Sequence, residues 1–160
     1  MNLYRLFNLV KSEEPFRARS RLMNKLSGKG GLTEDELNEL FAYKHVEYHS
    51  NPDVRKITEK VFATSDLGEK FRLLRRLNGV GLLMASTILT YQNPHKYAEI
   101  DPSVWNMLIR DFGFKVQEKG DHSDYSIPEY LSYLEILKSL ADEYGMNTSD
   151  VAFVLSMPGK

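Results

Sequence analysis

The stretch "LRRLNGVGLLMASTILTYQNPHKYAEIDPSVWNML", residues 74–108, decides how the whole chain is read. Two apolar helical patterns flank Asn78-Gly79-Val80-Gly81. Glycine accepts positive φ and lets another backbone approach closely, so Gly-Val-Gly suits a sharp helix–helix turn. The second pattern, "LLMASTILTYQ", is apolar on nearly every side, as expected of a helix at the centre of a core. Asn93-Pro94 ends it. Asp101 and Pro102 then open another helical pattern, "PSVWNMLIRDFG", with the acid at the N-cap and Gly113 as the stop.

Working outward, the remaining signals are also helical. "PFRARSRLMNKLS" places Phe16, Arg19, Leu22, Met23 and Leu26 near 3.6-residue spacing, and the glycines from Gly28 to Gly31 close it. Thr33 and Glu36 form a capping-box signature ahead of Leu37, Leu40 and Phe41. Asn51-Pro52 predicts an N-cap and first helical position for a helix carrying Val54, Ile57, Val61 and Phe62. "DLGEKFRLLRRL" contributes Phe71, Leu74 and Leu77. A long amphipathic pattern runs from Pro128 to a stop at Gly145, and "NTSDVAFVLS" gives a short last helix. Phe114–Ile127 is polar and reads as a loop. The pattern predicts an all-α fold: a compact bundle of about seven to eight helices joined by short turns, spanning 1–160 as a single domain.

Composition bounds the function. The chain has 160 residues and a net charge of −1, so no overall basic excess points to nucleic acid. The charge is uneven, however. Residues 1–31 form a basic N-terminal segment with Arg5, Lys11, Arg17, Arg19, Arg21, Lys25 and Lys29 against Glu13 and Glu14. Lys70, Arg72, Arg75 and Arg76 form a second basic cluster, and residues 117–150 lean acidic. Such asymmetry permits a basic face, although solvated helix surfaces give the same pattern. There is no cysteine, which excludes disulfides, thiolate zinc and a cysteine-ligated iron–sulfur cluster. With no apolar leader and no run of membrane-spanning length, the expectation is a cytoplasmic protein with no membrane partner, nucleoid-associated if prokaryotic. The oligomeric state is left open.

The turn has a chemistry of its own. The first amides of the helix after Gly81 have no intrahelical partners and sit at the positive end of its dipole. An anion such as a DNA phosphate fits there, with Lys70, Arg75 and Arg76 close in sequence. A bare Gly-x-Gly is equally consistent with a tight turn and nothing more. His45 and His49, four apart, suit a metal on one helix face, but no third ligand stands near them and no metal is expected.

The combination of "LNGVGLLMASTIL" with "EIDPSVWNML" resembles the helix-hairpin-helix DNA glycosylase superfamily, which includes the endonuclease III-like enzymes. The likeness extends less sharply through "LFAYKHVEYHSNPDVRKITEKVF" and "YLSYLEILKSLADEYGMNTSDVAFVLS", covering about Leu32 to Ser156. It implies double-stranded DNA carrying a damaged or modified base as partner, and base excision in DNA repair as the role. Asn78, Gly79, Val80, Gly81 and Arg76 would hold the DNA backbone, with a monovalent cation at the carbonyls of the turn. Asp101 would be the catalytic carboxylate beside the sugar. Tyr43, Lys44 and Trp105 would line the pocket of the flipped base, with Tyr48 and Phe16 as further aromatic candidates, although each of these aromatic rings, Trp105 above all, is more often a core residue.

One departure bears on mechanism. Family members that also cut the strand carry a lysine early in the second hairpin helix, where this chain has Leu82, Leu83 and Met84. Lys44 and Lys96 are other amines, but both read more readily as surface lysines. The expected enzyme is therefore a monofunctional hydrolytic glycosylase requiring no cofactor. Two alternatives stay open: a DNA-binding module without catalysis, and an all-α interaction protein in which the glycines only make a turn.

Overall fold

The computed structural model describes residues 2–116, 119 and 124–157. Among them there are nine helices and no strand: α1 Leu3–Val10, α2 Glu14–Leu26, α3 Glu34–Tyr43, α4 Val54–Ala63, α5 Leu67–Leu74, α6 Leu82–Gln92, α7 Pro102–Phe112, α8 Ile127–Tyr144 and α9 Thr148–Ser156. The count exceeds the seven to eight expected because α1 forms. Asn2 caps it by accepting from the Arg5 N–H, and Leu3, Leu6, Phe7 and Val10 face the core.

The core is built around α6. Every residue from Met84 to Tyr91 is buried. Burying a large aliphatic side chain contributes roughly 1.5–3 kcal/mol, so a helix submerged on all sides fixes the others around it. α2 packs on α6, α4 on α5, and α9 contacts α1, α7 and α8. The Thr33/Glu36 start and the Gly113 and Gly145 stops act as expected, and the structure adds a second capping box at Ser126/Glu129. Thr33/Glu36 and Ser126/Glu129 both form complete capping boxes, and Gly113 (φ +70°) and Gly145 (φ +65°) end α7 and α8 in the left-handed conformation.

Two helix boundaries differ from expectation. α3 ends at Tyr43 and His45 takes φ +57°, so His45 and His49 do not share a helix face. Among the described residues no three His, Asp or Glu side chains are grouped to hold a metal. α4 starts at Val54, with Asp53 at the N-cap position making no side-chain cap bond, and not at Asn51-Pro52. The reason is that Asn51 has another partner: its Oδ1 accepts the backbone N–H of Asn78 at 2.7 Å. The expected loop at 114–127 falls partly outside the described residues; those described there, Lys119 included, are not helical before Ile127.

Candidate functional site

Residues 97–101 link α6 to α7 and carry the site. Ala98 and Ile100 are buried, while Glu99 and Asp101 are only half-buried. Alternate residues of an extended segment point to opposite sides, so both carboxylates face outward together. The segment is tied from two directions. On one side the Tyr130 and Tyr133 hydroxyls of α8 donate to the carbonyls of Ala98 at 2.8 Å and Glu99 at 2.9 Å. Burial raises both phenols above their ordinary range, which keeps them as O–H donors. On the other side Ser86 Oγ of α6 accepts the Ile100 N–H at 3.0 Å.

Asp101 is the N-cap of α7. Its Oδ1 accepts from the Ser103 N–H at 2.8 Å, the Ser103 hydroxyl at 2.6 Å and the Val104 N–H at 3.2 Å. Oδ2 takes no part in this cap. Glu99 Oε1 accepts from the Thr87 hydroxyl at 2.7 Å and pairs with Lys44 Nζ at 2.8 Å. Asp101, Glu99 and Lys44 line a single cavity of about 140 Å³ together with Tyr43, Tyr91 and Arg19. Tyr43 meets Tyr91 edge-on, ring centroids 6.2 Å apart. Arg19, at 2% exposure, anchors the far wall: Nη1 donates to Asp150 Oδ1 at 2.9 Å and Nη2 to Ser149 Oγ, with the Phe153 ring 4.8 Å from the guanidinium. The cavity is walled by aromatic rings and charged groups.

The Asn78–Gly81 turn leads into this wall along α6. Gly81 is the N-cap of α6, and Ser86 and Thr87 hold residues 99–100 five and six positions later. At 1.5 Å per residue, the start of the helix lies roughly 8 Å along the axis from those anchors. Gly79 adopts φ +77° with Phe41 beneath it. Gly81 has no positive φ, and a Cβ built there meets nothing within 4 Å. The fold explains the first glycine but makes no demand on the second. Val80 is buried and its N–H donates to Leu77 O at 3.3 Å. Asn78 is held to the 50–51 segment by its N–H and by its side chain, which donates to Ser50 O at 3.0 Å.

Tyr43, Lys44 and Asp101 therefore meet in one cavity, and three other expected residues lie elsewhere. Trp105 is fully buried, stacked on Tyr133 at 5.1 Å and flanked edge-on by Phe114 and Tyr125; it has no free face for a base and is a core residue. Tyr48 packs on Phe41 and donates to Glu34, beneath the turn. Phe16 is packed between Phe7 and Phe153. The basic features also narrow. Lys70 is turned inward, its Nζ donating to Val61 O at 2.8 Å, and burial lowers its pKa. It adds nothing to a surface field, whereas Arg75 and Arg76 are exposed. In residues 1–31, Arg19, Arg21, Lys25 and Lys29 are each paired with a carboxylate.

Comparison of the chain with protein-family models, curated protein sequences and solved structures gives no match. No helix among the described residues is long and apolar enough to cross a membrane.

Proposed function

We propose that the chain is a helix-hairpin-helix DNA glycosylase-like hydrolase acting on a damaged or modified base in double-stranded DNA. The observation that carries this reading is the position of Asp101, which lines an aromatic-walled cavity and is joined through Ser86 and Thr87 to the helix that Gly81 caps. α5, the Asn78–Gly81 turn and α6 would be the hairpin. Its open side at Gly81, where nothing in the fold needs a missing Cβ, suits the close approach of a phosphate to the first amides of α6. Arg76 and Arg75, exposed just before the turn, would add positive charge. The turn's carbonyls are oxygen donors suited to the hard monovalent cation the resemblance implies. No step below depends on it.

The target nucleotide would leave the stack and place its base between Tyr43 and the Glu99–Lys44 pair. As the C1′–N bond breaks, its electron pair leaves with the base and C1′ becomes cationic. Asp101 Oδ2, outside the cap, would stabilise that charge and orient a water that adds to C1′. The water's proton passes through the carboxylate to the departing base. Lys44 is held by Glu99, which keeps an amine in the cavity but ties it to a carboxylate; hydrolysis without strand cleavage is the expected outcome.

A second reading, a DNA-binding module without catalysis, is favoured by one fact: Asp101 has a complete structural role as a cap. Incubating the chain with duplexes carrying uracil, hypoxanthine, 8-oxoguanine or alkylated purines, then heating in alkali, separates the two. Strand breaks at the modified base support hydrolysis. Salt-sensitive duplex binding without breaks supports the module.

A further inference from the structure

Two buried polar atoms of side chains that line the Asp101 cavity have no partner in hydrogen-bond geometry: Arg19 Nε, and Tyr91 Oη, which has the Tyr43 side chain as its neighbour. Both side chains are almost wholly enclosed, at 2% and 1% exposure. Leaving a buried donor unpaired costs about 1–3 kcal/mol, so two in one cavity require an explanation. Arg19 cannot turn to satisfy itself. Its two terminal nitrogens are fixed on Asp150 and Ser149, and the rings of Phe16 and Phe153 hold the guanidinium at 5.7 and 4.8 Å. Tyr91 is kept as a neutral phenol, because burial drives its pKa far upward and the nearby Glu99 charge adds to the effect. Arg19 Nε can only donate, and the Tyr91 hydroxyl has a proton to give.

The missing partner is therefore an acceptor, and the charge of the cavity says which kind. Arg19 and Lys44 are matched by Asp150 and Glu99, which leaves Asp101 as an excess negative charge. A free anion is repelled by that excess, while a neutral carbonyl oxygen is not. One carbonyl oxygen offers two lone pairs, and a ring with two carbonyls offers more. An exocyclic amino group is itself a donor and satisfies neither atom, so adenine has only its ring nitrogens, with one lone pair each, to offer the two donors.

We propose that this cavity selects heterocyclic bases bearing ring carbonyl oxygens, held by Arg19 Nε–H and Tyr91 Oη–H, over bases that present amino groups in their place. The proposal rests on the reading of this cavity as a base pocket. Tyr43, half-buried and packed edge-on against Tyr91, lines the same cavity.

The test is ligand-observed NMR on the full chain with free uracil, hypoxanthine, adenine and 3-methyladenine at millimolar concentration. Uracil and hypoxanthine bind, and adenine and 3-methyladenine bind more weakly. Tyr91→Phe, which removes one unpaired hydroxyl, weakens the carbonyl bases about fivefold, the equivalent of one hydrogen bond of ~1 kcal/mol. Its melting temperature stays level or rises, which a structural role for the hydroxyl would not allow. Preference for the two amino-bearing bases, absence of binding by all four, or unchanged affinity in Tyr91→Phe overturns the proposal. Base excision from DNA is scored separately. A chain that binds carbonyl bases through Tyr91 but excises none sinks the glycosylase reading and leaves this proposal standing. A chain that excises alkylated adenine as fast as uracil does the reverse.

Discussion

Asn51 Oδ1 accepts the backbone N–H of Asn78 at 2.7 Å, across 27 residues of sequence. Asn78 returns the contact by donating its side-chain amide to Ser50 O. The Asn78–Gly81 turn is thus set by a polar clamp from the α3–α4 connection, in addition to its own glycines. Asn51→Ala removes the acceptor and strands the Asn78 N–H. Loss of such a partner costs about 1–3 kcal/mol. The expected result is a melting temperature several degrees lower and faster hydrogen exchange at residues 78–82. Unchanged exchange there would show that the glycines alone hold the turn.

The clamp has a pH dependence through Glu34. Its Oε2 accepts from the Asn51 N–H, the Ser50 hydroxyl and the Tyr48 hydroxyl, and these bonds, Asn51 first, lower its pKa. A carboxylate whose folded pKa is depressed adds stability above its unfolded value, about 4.3 for Glu, and loses it as pH falls through the folded value. Glu34→Gln should therefore be less stable than the wild type at pH 7, with the gap closing as pH drops below about 4. Urea titrations of both proteins at pH 7 and pH 3 measure it; a gap constant with pH contradicts the assignment.

The two glycines separate folding from binding. Gly79 at φ +77° needs the left-handed region, so Gly79→Ala should destabilise by roughly 1–2 kcal/mol. Gly81 sits in open space at an N-cap, where serine is a good substitute. Gly81→Ser should keep or slightly raise the melting temperature while weakening duplex binding, because its side chain stands where a phosphate would approach. Fluorescence anisotropy with a short duplex at fixed salt reads this directly. Equal affinity would remove the turn from the DNA contact.

Lys44 and Glu99 form the one ion pair with both members lining the cavity. At 35% and 20% exposure they are half-shielded, so a double-mutant cycle with Lys44→Met and Glu99→Met should return a coupling of about 1 kcal/mol. A coupling near zero would make the pair an incidental surface contact.

The sequence made the helical framework readable wherever a stop signal was local. Gly113, Gly145 and the Thr33/Glu36 capping box needed only neighbouring residues to act. α1 was equally present in the spacing of Leu3, Leu6, Phe7 and Val10, but so short a pattern also reads as alternation. Boundaries set by distant partners were not legible: Asn51-Pro52 looks like a helix start until Asn78 claims the side chain. The same distinction divides the site. Asp101 was marked by its place before Pro102 at a helix start, whereas Lys44 entered only through the resemblance. Glu99 was missed, though its place two residues before Asp101 put it on the same side. Arg19 lay on an apolar helix face, a signal that it was buried and needed partners, but Ser149 and Asp150 are 130 and 131 residues away. Trp105 takes the core position that the sequence also allowed, and the aromatic rings that enclose it come from separate segments.

The charge of residue 101 is the centre of the functional reading, and one substitution isolates it. Asparagine caps helices about as well as aspartate, so Asp101→Asn keeps the start of α7 while removing the anion. Single-turnover formation of abasic sites should be compared for wild type and Asp101→Asn on the best substrate of a modified-base panel, with circular dichroism confirming equal folding. The account predicts a rate at least about a hundredfold lower in the variant, with duplex affinity unchanged or improved. Equal rates in the two proteins would contradict it.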